Sequence, residues 1–184
     1  MIKTIGHSSH PIGRFVDLLK AGGVEAVVDV RSTPYSRRFP QFGRERLAQS
    51  LSAAGILYRY EGAPLGGKPK DGAGYEDLAE RPEFKQALDR LIAGSADATL
   101  CLMCAEKEPL DCHRTVLVSR RLAERGVEIE HLLADGNRKP HAVLEEELLA
   151  ASGEGAPDLF TTSEDRGQRL ARAYQKRERA MKRT

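Results

Sequence analysis

The sequence contains no tryptophan, few aromatic residues and no long apolar run. A bilayer-spanning helix needs roughly 18 consecutive apolar residues, and the first residues, Met-Ile-Lys-Thr-Ile-Gly-His, lack the apolar stretch of a secretory signal. The 17 glycines and 9 prolines among 184 residues are too few for a low-complexity chain. We therefore expect one globular domain, without a membrane segment, in the cytoplasm.

The three cysteines of the chain, Cys101, Cys104 and Cys112, lie within twelve residues of one another. Closely spaced thiols suit a chemical site better than a set of disulfide bridges, and they fit a reducing compartment. The sequence does not identify a cofactor.

The formal net charge of +2 conceals an uneven distribution of charged residues. From Ser163 to the end of the chain, eight basic residues outnumber three acidic ones. A second basic segment, residues 31–46 (the basic loop), carries five arginines with Tyr35, Phe39 and Phe42 among them. Alternating cations and flat rings suit a phosphate backbone with stackable bases. The alternative is a solvated loop whose aromatic rings pack back onto the core.

Apolar segments alternate between strand and helix patterns along the chain. The predicted strands are residues 2–6, 26–30, 56–60, 98–103 and 127–131. The predicted helices begin at Pro11, after the basic loop, near Phe84, at an N-cap formed by Asp111, and at residue 141. Because each right-handed crossover places its helix on the sheet, we expect a three-layer α/β fold, with a mostly parallel sheet and helices on both faces. The segment 62–75 is too long for a plain connector, and loops of this length are usually functional lids or disordered.

The predicted α/β domain covers residues 1–151, and residues 152–184 form a linker and a basic C-terminal tail helix. The tail helix has only a thin apolar stripe, so we expect it to be mobile or bound to a partner. Within the linker, the Asp-Leu-Phe string containing Leu159 and Phe160 resembles the ending of short peptides that dock on bacterial replication clamps. A linker that merely packs Phe160 is the alternative.

Polar residues follow several of the predicted strands. His7 and Ser8 follow the first strand, and Arg31 follows the second. Cys104 and Glu106 follow the fourth, and His131 ends the fifth. In an open parallel sheet, ligands bind beyond the carboxyl ends of the strands. The next helix begins with Cys112, His113 and Arg114, a first turn suited to anions.

Cys104 is the candidate nucleophile of this predicted site. A helix N-terminus or a nearby cation lowers a thiol pKa from about 8.5 to roughly 3.5–7.5. Glu106 is the candidate general acid or base, and either His7 or His113 is the second proton carrier. Either Arg31 or Arg114 would hold a substrate anion. A buried structural role is the alternative for Cys104 and Cys112, and it is the preferred interpretation for Cys101.

A metal site would compete for the same residues. Cys104, Cys112, His113 and His7 offer sulfur and nitrogen ligands suited to tetrahedral coordination. However, the seven residues between the two cysteines exceed the usual spacing of a cysteine knuckle. No metal is therefore assigned from sequence.

Several short strings together resemble the bacterial and archaeal family known as domain of unknown function 488. They are Thr-Ile-Gly-His-Ser at 4–8, Val-Asp-Val-Arg at 28–31 with Pro34, Ser36 and Arg37, Leu-Gly-Gly at 65–67, Leu-Met-Cys-Ala-Glu at 102–106, and Cys-His-Arg at 112–114. The likeness spans roughly residues 2–150. It implies that these positions belong to one site. The candidate substrate-binding residues are then Ser8, Arg31, Ser36, Arg37, Gly66, Gly67, Cys112 and Arg114.

A looser likeness connects Asp29-Val30-Arg31 and Cys104 with rhodanese-type sulfurtransferases. Those enzymes follow the cysteine with a short loop, containing Gly and Arg, that wraps the sulfur. Here Glu106 and Glu108 place two acidic residues in that segment. The departure weakens the case for persulfide transfer.

Two hypotheses from different classes remain. One is a cysteine-dependent enzyme acting on an anionic, phosphate-bearing substrate, such as a nucleotide or nucleic acid, with Cys104 as nucleophile or redox centre. The other is a module that binds nucleic acid or a partner through the basic loop and tail, with structural cysteines. The first predicts a reactive Cys104, and the second predicts salt-sensitive binding that survives Cys104→Ser.

Overall fold

The computed structural model describes residues 1–155 and 165–182. In this part of the chain a six-stranded sheet has the order β3-β2-β4-β1-β5-β6. The strands are β1 (Ile2–Gly6), β2 (Ala26–Asp29), β3 (Leu57–Tyr60), β4 (Leu100–Cys104), β5 (Ile129–Leu132) and β6 (Arg138–Pro140). The first five strands pair in parallel, and β6 pairs antiparallel with β5. The sheet is therefore mostly parallel, as predicted.

The helices are α1 (Ile12–Ala21), α2 (Arg44–Ala53), α3 (Gly62–Leu65), α4 (Tyr75–Glu80), α5 (Pro82–Asp97), α6 (Arg120–Ala123), α7 (His141–Ala151) and α8 (Arg166–Met181). A π-helical segment, Arg114–Ser119, leads directly into α6. None of the helices in the described ranges has the length and hydropathy that a membrane span requires.

Helices cover both faces of the sheet, which confirms the three-layer α/β fold. Side chains alternate along each strand, so neighbouring residues serve opposite faces. Helices α1 and α2 pack with Ile5, Val27 and Met103 on one face. Helices α4 to α8 pack with Val28 and Leu102 on the other. Buried residues throughout β1, β2 and β4 are typical of the centre of a parallel sheet.

The structure differs from the sequence expectations in several short elements. The predicted long loop after β3 contains helix α3 and is followed by α4, and strand β6 was not predicted. Asp111 does not cap a helix. It ends a 3₁₀ turn, Pro109–Asp111, and the π-helical segment begins three residues later.

The tail helix α8 packs against the domain, contrary to the expectation of a mobile helix. Ala173 and Tyr174 are buried, and their neighbours include residues of α7 and of the π-helical segment. Ala173 and Tyr174 are the most buried residues of the apolar stripe of α8, and they lie near the middle of the helix. The possible clamp motif at Leu159 and Phe160 lies outside the described residues.

Candidate active site

The central strands bring three separate parts of the sequence to one edge of the sheet. Strand β4 lies between β1 and β2, with Cys104 level with Gly6 and Met103 level with Asp29. The chain segments that leave these strands therefore carry their side chains to one place. His7, Arg31 and Cys104 all line a single cavity of about 630 Å³.

The cavity is lined by both predicted and unexpected residues. The predicted residues on its wall are His7, Ser8, Arg31, Ser36, Cys104, Glu106 and His113. The other lining residues are Ser9, Ser32, Thr33, Tyr35, Arg38, Phe39, Lys68 and Ala105. The basic loop thus supplies much of the wall.

Two sulfur atoms, one carboxylate and one imidazole converge beside the cavity. Glu106 Oε2 lies 3.0 Å from Cys104 Sγ and 3.0 Å from Cys112 Sγ. His113 Nδ1 lies 3.6 Å from Cys104 Sγ and 4.0 Å from Cys112 Sγ. These four residues are called the thiol cluster below. Cys104, Glu106 and His113 reach the cavity wall, whereas Cys112 lies behind them.

The orientation of His113 follows from its contact with Val30. Nε2 lies 2.8 Å from the Val30 carbonyl oxygen, and a carbonyl only accepts, so Nε2 carries a hydrogen. In the neutral ring, Nδ1 then directs its lone pair towards the sulfurs. Burial lowers the pKa of His113, but its interactions with Cys112 outweigh burial and leave the pKa raised.

The two cysteines of the cluster differ in acidity, and the pKa of Cys104 is shifted in the opposite direction to the lowering expected from the sequence. Burial, the Cys112 sulfur and the Glu106 carboxylate raise the pKa of Cys104 well above its ordinary value. Burial also opposes ionisation of Cys112, but the Cys104 thiol, Arg114 and His113 hold its pKa well below the ordinary value. The Arg114 backbone N–H also lies 3.4 Å from the Cys112 sulfur. Cys104 therefore faces the cavity as a thiol.

Arg31 is anchored on the cavity wall. Its guanidinium donates to both Asp29 carboxylate oxygens, at 2.9 and 2.6 Å, and to the Phe42 carbonyl oxygen at 2.9 Å. Arg31 Nη1 also lies 3.3 Å from His7 Nε2. The Asp29 carboxylate compensates most of the Arg31 charge, which limits what remains for a substrate.

His7 is held as a neutral ring by its neighbours. Its Nδ1 lies 2.9 Å from the Ser8 carbonyl oxygen, so Nδ1 carries the hydrogen and Nε2 accepts from Arg31. Burial lowers the pKa of His7 to about 4. Both ring nitrogens are engaged, so His7 serves the wall of the cavity and not, in this arrangement, as a free proton carrier. Ser8 itself has a positive φ of 48°, a strained conformation of the kind that concentrates at functional sites.

Arg114 is a structural residue beneath the site. Its side chain is fully buried and donates to the carbonyl oxygens of Glu106 and Lys107, at 2.7 and 3.2 Å. It is not among the residues lining the cavity, so it positions the loop that carries Glu106. This loop also passes very close to β1: a Cβ at Gly6 would lie 1.9 Å from the Glu106 carbonyl oxygen.

The Gly66-Gly67 pair supports the site from behind. A Cβ at Gly67 would lie 2.5 Å from the Cβ and Cγ atoms of His113, and one at Gly66 would lie 2.4 Å from the Ser32 hydroxyl oxygen. The two glycines allow close packing against site residues, while neither lines the cavity of His7, Arg31 and Cys104. Their contribution is therefore to positioning.

Two other predicted residues lie away from the cavity. Arg37 is exposed and borders a neighbouring groove. His131 is completely buried within β5, which corrects its expected place on the rim. Arg38 and Lys68, which sequence reasoning missed, are exposed on the cavity wall instead. The available signals were the Arg-Arg pair in the basic loop and the Gly-Gly-Lys string.

Comparison with known proteins gives one family match. The family model described as Domain of unknown function DUF488 matches residues 11–121. No curated protein and no solved structure matches the chain.

Proposed function

Because the chain belongs to the DUF488 family, whose description assigns no activity, we propose its function from the site. The protein is an enzyme that acts on an anionic, phosphate-bearing substrate, a nucleotide or nucleic acid, with Cys104 as nucleophile. The observation that supports this most is the Cys104 thiol on the wall of a cavity of about 630 Å³, with Glu106 Oε2 at 3.0 Å and His113 Nδ1 at 3.6 Å from its sulfur. A nucleophile beside an oriented base is the usual arrangement for covalent catalysis.

The proposed reaction transfers a group from the substrate to the Cys104 sulfur and then to water: in the second step the water oxygen bonds to the group, the bond to sulfur breaks, and a proton from the water restores the thiol. As the Cys104 sulfur bonds to the electrophilic atom of the substrate, its proton passes to Glu106 Oε2. The bond to the leaving group breaks, and the leaving group keeps the electron pair and takes the proton from Glu106. His113, oriented by the Val30 carbonyl, places Nδ1 3.6 Å from the Cys104 sulfur. A thiol that faces a general base needs no prior ionisation, so the high pKa of Cys104 is compatible with this step.

The cations around the cavity suit a phosphate-bearing substrate. Arg38 and Lys68 are exposed on the wall, and within the described residues neither has an ion-pair partner. Tyr35 is 67% exposed beside them and offers a flat ring for a base. We therefore assign phosphate contacts to Arg38 and Lys68, and a supporting role to Arg31.

Alkylation of the native, metal-stripped protein tests this proposal. We expect iodoacetamide to label Cys104 at least about tenfold faster than Cys101, which is completely buried in the core. Inorganic phosphate or a nucleoside monophosphate should slow the labelling of Cys104. Peptide mass analysis measures both rates in the same sample, so Cys101 is the internal control. Equal rates for the two cysteines would refute the nucleophile.

A second candidate function is binding of single-stranded nucleic acid. The groove beside the cavity is lined by Tyr35 together with Arg37, Arg44 and Arg46. Cations and an exposed ring in one groove suit a phosphate backbone with stacked bases. Salt-sensitive oligonucleotide binding that persists in Cys104→Ser, without faster labelling of Cys104, would favour this function over the enzyme.

The proposed mechanism also bears on the cellular compartment of the protein. The three cysteines are free thiols in the structure. A mechanism that depends on free thiols requires a reducing environment, and we propose the cytoplasm.

A further inference from the structure

We propose that the thiol cluster binds one divalent metal ion of the zinc class through Cys104, Cys112 and His113, with Glu106 as the fourth ligand. The two sulfurs and His113 Nδ1 all lie within 4.8 Å of one another. Glu106 Oε2 lies 3.0 Å from each sulfur. Two thiolates and an imidazole favour zinc over magnesium or calcium, which prefer oxygen ligands.

His113 is already oriented as a metal ligand. Metal-bound histidines almost always donate their other ring N–H to a carbonyl or carboxylate, which fixes the ring and its tautomer. His113 Nε2 makes this contact with the Val30 carbonyl at 2.8 Å. Its Nδ1 is thereby left to face Cys104 and Cys112.

The surrounding charges suit an anionic metal centre. Metal binding replaces thiol protons, so two thiolates and a carboxylate around a divalent ion carry a net charge of −1. Arg114 is fully buried next to this position, and its backbone N–H points to the Cys112 sulfur at 3.4 Å. Its guanidinium holds the loop of Glu106 through two carbonyl contacts. The metal-free protein therefore already has the positive charge of Arg114 beside the site and the loop of Glu106 held in position.

The fold also brings Cys104 and Cys112 together although seven residues separate them in the sequence. Cys104 ends β4, and the 3₁₀ turn Pro109–Asp111 returns the chain so that Cys112 lies beside it. His7, which the sequence offered as a fourth ligand, is bound to Ser8 and Arg31 instead. Glu106 takes that place.

Metal binding would control the proposed enzyme, and this consequence rests on the proposed function. A Cys104 sulfur bonded to the ion cannot attack a substrate, and Glu106 cannot accept its proton. The metal-free protein is then the active form and the metal-bound protein is held inactive. Because Cys104, Glu106 and His113 reach the cavity wall, the ion would be accessible to exchange from the solvent.

Cobalt(II) titration of the metal-stripped protein tests the binding site. We expect one equivalent to bind and to produce the charge-transfer absorption of cobalt–thiolate bonds. Cys104→Ala and Cys112→Ala should each weaken binding by at least about a hundredfold, whereas the matched control Cys101→Ala should bind as the parent does. Glu106→Gln, in which the carboxylate ligand is lost with little change in shape, provides a variant that does not alter the packed cysteines.

The outcomes separate the two proposals. Absence of the thiolate absorption in the folded parent, or a cobalt affinity that is unchanged in both Cys104→Ala and Cys112→Ala, would overturn the metal site. Zinc should also protect Cys104 from iodoacetamide. If Cys104 of the metal-free protein reacts quickly and no metal binds, only the metal proposal fails. If cobalt binds and metal-free Cys104 reacts no faster than Cys101, the proposed function fails and the metal site stands.

Discussion

Two clusters of buried polar side chains lie against the same face of the sheet, and they differ in how their hydrogen bonds are matched. The thiol cluster borders the cavity. The second cluster, called the histidine network here, connects β1, β5, α7 and α8. Its members in order are Thr4, His131, His141, Tyr174 and Glu145.

Every donor in the histidine network has one acceptor. Glu145 only accepts, so the Tyr174 hydroxyl donates to it at 3.2 Å and accepts from His141 Nε2 at 3.1 Å. His141 Nδ1 then accepts from His131 Nε2 at 2.9 Å, and His131 Nδ1 accepts from the Thr4 hydroxyl at 2.7 Å. Both rings are neutral and fully satisfied in this arrangement, and the network attaches α8 to the sheet.

In the thiol cluster, by contrast, donors and acceptors are not paired one to one. One carboxylate oxygen faces two sulfurs, and a single imidazole nitrogen faces the same two sulfurs. Three acidic groups surround one basic group, so the protonation of any one changes the others. The two clusters therefore contain similar kinds of side chain but differ in whether each donor has its own acceptor, and of the two the thiol cluster borders the cavity of about 630 Å³.

The largest expected effect concerns the backbone beneath the thiol cluster. Gly6→Ala should destabilise the protein by roughly 3 kcal/mol, because its Cβ would lie 1.9 Å from the Glu106 carbonyl oxygen. The matched control is Gly13→Ala in α1, where a Cβ meets nothing within 4 Å and the gain in helix propensity should stabilise by about 0.5–1 kcal/mol. Urea unfolding measures both. Equal effects of the two substitutions would show that the loop of Glu106 is not tightly held.

The histidine network should respond to acid. Burial lowers the pKa of His141 to about 4, from 6.5, so the folded protein keeps this ring neutral while the unfolded chain protonates it. The stabilisation is present above pH 6.5 and is lost as the pH falls towards 4. Between pH 7 and pH 5 the loss should be about 2 kcal/mol for this group. The titratable groups facing the ring are His131, 2.9 Å from His141 Nδ1, Glu145, 3.5 Å from His141 Nε2, and Tyr174.

Urea unfolding at both pH values, for the parent and for His141→Gln, isolates this contribution. The variant should be less stable at pH 7 and should lose about 2 kcal/mol less on acidification. An unchanged pH dependence in His141→Gln would mean that the network does not hold the ring neutral.

Much of the fold follows from sequence because apolar patterns report burial directly. The run Ala26–Asp29 must be a strand buried on both faces, and the position of Cys104 next to His7 follows once β4 is placed between β1 and β2. Strand β6 could not be predicted, since three residues containing Pro140 carry no alternating pattern. Helix α4 was not predicted either, since its six residues are too few to show a helical repeat of apolar positions.

The site was predicted less completely than the fold, because spacing does not reveal how side chains pair. Sequence assigned Arg31 and Arg114 to a substrate, whereas one is bound to Asp29 and the other to backbone carbonyls. The tail helix was expected to be mobile or bound to a partner because its apolar stripe is thin and the segment is strongly basic. Ion pairs such as Arg172 with Glu154 and Arg166 with Glu146 compensate part of that charge in the structure.

Substitution of Arg38 is expected to have the smallest effect on stability but a clear effect on ligand binding. Arg38 and Arg37 are adjacent, exposed and alike in charge, but only Arg38 lines the cavity of the thiol cluster. Arg38→Gln and Arg37→Gln should each alter the unfolding free energy by no more than about 0.5 kcal/mol. Arg38→Gln should weaken the protection of Cys104 by a nucleoside monophosphate roughly fivefold, since about 1 kcal/mol of charge-assisted contact is lost. Arg37→Gln should leave it unchanged. If both substitutions weaken protection equally, the anion is attracted by the general charge of the basic loop, and the cavity wall has no specific role in holding it.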